Sequence, residues 1–158
     1  MPLIPKTAAF LALPIAAAAA LWALWPLSQP AQATGLFPYT DSDAVARGET
    51  LYGEYCAACH GADLSGEADW RVPDDQGYLP APPHDATGHT WHHPDAQLFA
   101  ITRHGTAALV GNGYKSRMEG FGDTLSDDDI LAVLAYIKST WPPGIIARHN
   151  AINAAQSQ

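Results

Sequence analysis

The sequence has 158 residues, of which 47% are hydrophobic and 15% charged, so it is long enough for one modest domain and a further segment. Sixteen acidic residues against eight basic ones give a formal net charge of −8. This balance argues against nucleic acid as a partner, because backbone phosphates would be repelled, and it favours a partner protein with a basic docking face.

The first 33 residues have the pattern of a signal peptide. Lys6 precedes an apolar run over residues 8–25, and Ala31-Gln32-Ala33 matches the small-x-small signature of signal-peptidase cleavage. Cleavage there would begin the mature chain at Thr34. The alternative is an uncleaved membrane anchor over residues 8–27, since a spanning helix needs about 20 apolar residues. In both cases the rest of the chain lies outside the cytoplasm, and membrane association is expected only with the anchor.

A polar lead-in over residues 34–42 precedes a predicted helix that starts near Ser42 or Asp43, whose short side chains suit a helix cap. One face of this helix carries four residues near helical spacing: Val45, Gly48, Tyr52 and Tyr55. Glycine costs about 1 kcal/mol relative to alanine inside a helix. We therefore expect another helix to cross closely at Gly48, and a glycine that the helix merely tolerates is the alternative.

The sequence Cys56-Ala57-Ala58-Cys59-His60 has the C-x-x-C-H spacing of a covalent haem c site. Two thiols on one helical turn can each add to a vinyl group of a single porphyrin, and His60 follows at once to ligate the iron. A disulfide, half of a zinc site and a thioredoxin-like redox motif are the alternatives. Zinc would need further ligands, but these are the only two cysteines, and no βαβ pattern surrounds them.

Glycines and prolines interrupt residues 61–83, which predicts a loop around the haem. Five of the seven histidines then fall within 21 positions: His84, His89, His92, His93 and His104. The tightest group is His89, His92 and His93, and neutral imidazole is a common ligand for copper or zinc. A second metal site is therefore one hypothesis, and ordinary loop or haem-edge histidines are the other.

Residues 94–104 are predicted to form a helix, with Pro94 at its first position and Gly105 as its C-terminal cap. A loop is expected over 107–117. Met118 follows it and is the only methionine beyond the initiator, so it is the one candidate for a sulfur ligand on the far face of the iron. A methionine that fills a gap in the core is the alternative.

The last strong helix signal begins at Ser126, where the pattern of a capping box is followed by acidic residues at the positive helix end. Its apolar residues recur at i, i+3, i+4 and i+7, as a buried stripe does: Ile130, Val133, Leu134 and Ile137. Pro142 and Pro143 are expected to end the helix. Residues 144–158 suggest a short terminal helix and no function.

Over residues 43–142 the chain resembles the class I mono-haem c-type cytochromes, through Cys56–His60, the Met-x-x-Phe segment at Met118 and the run 125–141. The resemblance implies an all-α cytochrome c fold, with three to five helices around one covalent haem c in a domain at 43–142 and a tail at 143–158. It further implies that His60 is the proximal ligand and Met118 the distal one, and that the carbonyl of a proline accepts a hydrogen bond from the other nitrogen of His60. Pro82 is the first choice for that proline and Pro83 the second, and a rigid polyproline II turn with no iron-related role is the alternative.

In such cytochromes the first and last helices cross at a glycine beside an aromatic residue, which Gly48 and Tyr52 resemble. Glu119 departs from the family pattern, in which many relatives carry proline after the methionine. The family attaches haem on the periplasmic side, so the expected function is that of a periplasmic electron carrier rather than an enzyme.

Two other functions remain open. In a haem enzyme or gas sensor Met118 would not bind iron, and His104 or another group would line an open site. In a copper-handling module the histidines between 84 and 104 would bind copper, and the haem would report on it or reduce it. For the carrier, the expected partners are redox proteins that serve respiration or a dehydrogenase.

Overall fold

The computed structural model describes residues 35–156, so the predicted signal peptide or anchor over 1–33 lies outside the described residues. Six α-helices and one 3-10 turn are found in this range: α1 Ser42–Tyr55, α2 Ala57–His60, the turn Thr90–His92, α3 Asp95–His104, α4 Thr106–Val110, α5 Asp127–Ser139 and α6 Pro143–Gln156. No strand occurs among the described residues, which confirms the predicted all-α class.

Helices α1 and α5 form the most extensive helix pair in the described part of the chain. A Cβ placed on Gly48 would lie 1.9 Å from the backbone oxygen of Ala132, so no side chain fits between the two helices there. Next to the crossing, the rings of Tyr52 and Tyr136 pack with centroids 5.4 Å apart. The predicted close crossing at Gly48 is therefore confirmed.

Among the described residues, helix α5 supplies more of the buried hydrophobic core than any other helix. Ser126 and Asp129 form the predicted capping box at its start. Its buried hydrophobic residues include every member of the predicted stripe: Ile130, Val133, Leu134 and Ile137. Trp141, two residues beyond the end of the helix, is also buried, so the core residues continue past α5.

Several helix boundaries differ from the predictions. The cap of α1 is Asp41, whose carboxylate accepts hydrogen bonds from the amides of Asp43 and Ala44. Pro94 occupies the N-cap of α3 rather than its first helical position. The expected loop over 107–117 begins as the five-residue helix α4. With the one-turn helix α2, this brings the described helices to six, one more than expected.

The C-terminal segment is a helix of 14 residues, longer than the short one expected, and it packs on the domain. His149 of α6 is fully buried, and its Nε2 donates to the backbone oxygen of His93 at 2.9 Å. Residues 143–156 therefore contribute to the same core as α5.

Asp95, at the start of α3, is 2% exposed and lies where three parts of the chain meet. Its carboxylate accepts hydrogen bonds from the backbone amides of Leu36 and Phe37 and from the side chain of Asn153.

Among the described residues, no helix is long and apolar enough to cross a membrane.

Candidate haem site

The C-x-x-C-H residues lie at the junction of α1 and α2. The amide of Cys56 still donates to Tyr52 O, and the amide of His60 donates to Cys56 O at 3.0 Å, so the motif forms one helical turn. Neither cysteine is in a disulfide; Cys56 is half-buried and Cys59 is exposed. Burial raises the pKa of the Cys56 thiol to about 11. One helical turn brings the two thiols to the same side of the chain.

His60 is buried, and one of its two ring nitrogens already takes part in a hydrogen bond. Nδ1 lies 2.8 Å from the backbone oxygen of Pro82. A carbonyl oxygen only accepts, so Nδ1 carries the proton and donates it, and Nε2 of the neutral ring keeps its lone pair. Burial lowers the pKa of His60, which favours that neutral form. The ring therefore has the tautomer that can bind a metal through Nε2.

The carbonyl of Pro82 is positioned by close backbone packing. The loop after His60 turns back on itself, with the amide of Glu67 donating to Ala81 O at 2.9 Å. On the other side, a Cβ on Gly88 would lie 2.0 Å from the oxygen of Pro83. The chain at Pro82 and Pro83 is thus held between two neighbouring backbone segments.

Met118 lies in the loop between α4 and α5 and is half-buried. Its amide donates to Ser116 Oγ at 3.0 Å. The residues just after it hydrogen-bond to the last turn of α3, from the amide of Phe121 to Thr102 O and from that of Gly122 to Arg103 O, both at 2.9 Å. The loop that carries the methionine is therefore attached to a helix of the core.

Two of the three histidines of the hypothetical second metal site, His89 and His92, stack on separate tryptophans. The exposed ring of His92 stacks on Trp91 at 3.7 Å, and that of His89 stacks on Trp70 at 4.9 Å. His89 and His93 meet only edge to face, with ring centroids 5.3 Å apart. Within residues 35–156, no three His, Cys, Asp or Glu side chains are grouped as metal ligands would be. The geometry thus gives the copper hypothesis no support, and His104 is exposed at the end of α3.

One contact at the site was not visible in the sequence. The ring of His84 stacks on that of His60, with centroids 4.0 Å apart and planes inclined by 24°. The two residues are separated by 23 positions of loop, and no local pattern indicates that their rings meet.

Comparison with known proteins identifies the family. Residues 43–137 match the family model described as "Cytochrome C oxidase, cbb3-type, subunit III". The chain belongs to this family. A curated relative, the cbb3-type cytochrome c oxidase subunit FixP of Azorhizobium caulinodans, is 29% identical over 96 residues, which are 61% of this chain and 29% of the relative. The chain thus spans less than a third of that relative's length.

Membership makes this domain a c-type cytochrome, an electron-transfer domain that carries haem c. The described residues fit that group. Two thiols free of a disulfide stand on one helical turn, beside an imidazole whose Nε2 lone pair is not used in the hydrogen bond to Pro82. Thiols and a neutral imidazole are the donors that covalent haem attachment and iron ligation require.

Proposed function

We propose that this protein is a periplasmic electron carrier with a single haem c, attached through Cys56 and Cys59 and ligated by His60 and Met118. The observation that carries the proposal is the state of His60, whose Nδ1 donates to Pro82 O at 2.8 Å beside two free thiols. When bound, a haem supplies a one-electron couple between ferrous and ferric iron.

The contribution of His60 and Pro82 to this function is to hold the ligand in one orientation. A hydrogen bond from the distant nitrogen of a metal-bound imidazole fixes its tautomer and makes it a stronger donor. Because the oxygen of Pro82 belongs to the backbone, it keeps this role at any pH. A haem iron held by His60 would supply the one-electron change, while His60 itself keeps its single proton.

Met118 is proposed as the distal ligand because it is the only methionine after the initiator and its loop is attached to α3. If His60 and Met118 both held the iron, no ligand position would remain for a substrate, which favours electron transfer over catalysis. Exposed Cys59 brings one attachment point to the surface, where a redox partner can approach it.

For location and partners, the support comes from the N-terminal sequence, the charge and the similarity to FixP. We propose a periplasmic position, either free after cleavage at residue 33 or through an anchor over residues 8–27. The partners would be redox proteins with a basic docking face, which suits a formal charge of −8. Because the relative is named as an oxidase subunit, a terminal oxidase is the favoured partner.

The test is the optical spectrum of the purified oxidised protein. Methionine ligation gives a weak long-wavelength charge-transfer band between sulfur and iron, and we expect this band in the wild type and its loss in Met118→Ala. His104→Ala is the matched control, because its exposed ring lies on the helix end next to the Met118 loop, and it should keep the band.

Two outcomes would contradict the proposal. If the wild type lacks the band and its reduced form binds carbon monoxide rapidly, the sixth ligand position of the iron is open. A haem enzyme or gas sensor would then be the better interpretation. If the ratio of haem to protein, measured as the pyridine complex, differs from one, the single-haem proposal is wrong.

A further inference from the structure

The closest ring contact of His60 is with a second histidine. The His84 ring lies nearly parallel to it, with centroids 4.0 Å apart and planes inclined by 24°. A stacked neighbour at this distance limits tilting of the His60 ring and keeps water from the covered face. The hydrogen bond to Pro82 restrains one edge of the same ring, so the two contacts together restrain both its position and its plane.

His84 is itself held at several points. Its amide donates to Leu64 O at 2.8 Å, and its backbone oxygen accepts from the buried indole Nε1 of Trp141 at 2.7 Å. Tyr52 packs edge-on against its ring, with centroids 6.3 Å apart. These contacts come from the loop over residues 61–83, from Trp141 just beyond α5 and from α1. A residue fixed from three directions can act as a rigid support for its neighbour.

A short hydrogen-bond chain orients the His84 ring. Nδ1 of His84 lies 2.8 Å from Thr90 Oγ1, which donates to Pro83 O at 3.3 Å. Because the hydroxyl proton is used toward the carbonyl, Nδ1 of His84 is the donor to Thr90. Consecutive carbonyls thus orient two stacked imidazoles: Pro82 holds His60 directly, and Pro83 holds His84 through Thr90.

We propose that His84 is a positioning residue for the proximal ligand, which sets the plane of the His60 imidazole and shields it from water through the stack that Thr90 and Pro83 hold in place. The inference rests on the proposed role of His60 as an iron ligand. It assigns a role to one histidine of the 84–104 group that differs from metal binding.

The test compares electron paramagnetic resonance spectra and reduction potentials of the ferric holoprotein and its variants. The g-values of low-spin ferric haem depend on the orientation of the axial ligand planes. In His84→Ala we expect g-values shifted beyond the wild-type linewidth, a broader signal and a lower potential, because admitted water favours the ferric charge. His84→Phe keeps a ring in the stack but loses the hydrogen bond to Thr90, so its g-values should lie between those of the wild type and those of His84→Ala.

The matched control is His92→Ala, which removes an imidazole that is stacked on Trp91 and makes no ring contact with His60. It should leave the g-values and the potential unchanged. A merely structural role for His84 would lower the thermal stability of His84→Ala without moving either quantity, and wild-type g-values in that variant would overturn the proposal.

If His84→Ala yields no holoprotein, Thr90→Val provides the test, because it leaves His84 in place and removes the acceptor of its Nδ1. Thr90→Val should shift the g-values in the same direction as His84→Ala does, but by a smaller amount. A wild-type spectrum in Thr90→Val would overturn the proposal. Failure of the proposed function can be distinguished from failure of this inference. The first would appear in the optical spectrum of the wild type, and the second would appear as equal g-values in the variant and the wild type.

Discussion

The buried carboxylate of Asp95 joins the N-terminal segment to helices α3 and α6. Besides the amides of Leu36 and Phe37, it faces the fully buried Nζ of Lys138 at 4.0 Å. No hydrogen-bond partner for that ammonium group is found among the described residues, and the ring of Tyr39 lies 4.6 Å from it. Asp95 is therefore the charge that compensates Lys138 in the core.

Replacing this carboxylate with a neutral isostere tests its importance. We expect Asp95→Asn to lower the free energy of unfolding by about 3 kcal/mol, because the loss of one member of a buried ion pair leaves the other charge unpaired. Urea unfolding followed by circular dichroism measures the change. Asp75→Asn removes an exposed carboxylate and should stay within about 0.5 kcal/mol of the wild type. Equal effects of the two substitutions would refute the assigned role of Asp95.

His149 introduces a dependence of stability on pH. Its Nε2 donates to His93 O, while its buried Nδ1 has no hydrogen-bond partner among the described residues. Burial lowers the pKa of His149, and the nearby charge of Lys138 lowers it further, although Asp95 opposes this. The unfolded chain, in which the pKa is near 6.5, therefore binds a proton first as the pH falls, so stability is lost below about pH 6.5.

We expect the wild type to lose more stability between pH 7.5 and 5.5 than His149→Gln does, by up to about 1.4 kcal/mol, the value of one pKa unit. Urea midpoints at the two pH values measure it. Any contribution from the other histidines cancels in the comparison. His104→Gln changes an exposed ring and should keep the wild-type dependence. Parallel curves for the wild type and His149→Gln would contradict the argument.

At the residue scale, the sequence reveals chemistry that lies within a short stretch of chain. Cys56, Cys59 and His60 are recognisable because their spacing on one helical turn is itself the signal. The stack of His84 on His60 and the contacts of Asp95 join residues that are far apart in sequence, such as Leu36 and Asn153. Such contacts follow from how loops and helices pack, which periodicity does not encode.

At the scale of helices, α1 contains two glycines in opposite environments. A Cβ on Gly48 would lie 1.9 Å from Ala132 O, whereas one on Gly53 would meet nothing within 4 Å. Gly48→Ala should force α1 and α5 apart and lower stability by about 1–3 kcal/mol. Gly53→Ala should raise stability by up to about 1 kcal/mol, since alanine is the better helix former. Thermal unfolding of the two holoproteins measures both, and a stabilising Gly48→Ala would refute the close crossing.

Helices whose apolar residues recur at clear helical spacing could be predicted from the sequence. Helices that depend on tertiary contacts could not. The capping box and stripe of α5 place it correctly because each signal is local. Helix α4 has only five residues, too short for a period to be read, and none of them is buried. The buried side chains of helix α6 include the polar residues His149 and Asn153. A prediction from hydrophobic periodicity treats polar residues as exposed, so it could not identify this buried face.

For the whole molecule, the formal charge of −8 makes the rate of electron transfer depend on the charge of the partner. Salt screens such fields over about 10 Å at 0.1 M, compared with about 30 Å at 0.01 M. We therefore expect oxidation of the reduced protein by the cationic tris(phenanthroline)cobalt(III) to slow as ionic strength rises over this range. Oxidation by the anionic hexacyanoferrate(III) should accelerate over the same range, and it serves as the matched control. Stopped-flow absorbance measures both second-order rates.

The sign of the two slopes separates net charge from local charge. If the acidic balance governs the approach of partners, the two oxidants must respond in opposite directions, because the protein charge enters both rates with the same value. If the anionic oxidant slows and the cationic one accelerates, the surface at the point of electron exit is locally basic despite the net charge. A basic docking face on the partner would then be wrong, and an acidic one would be required.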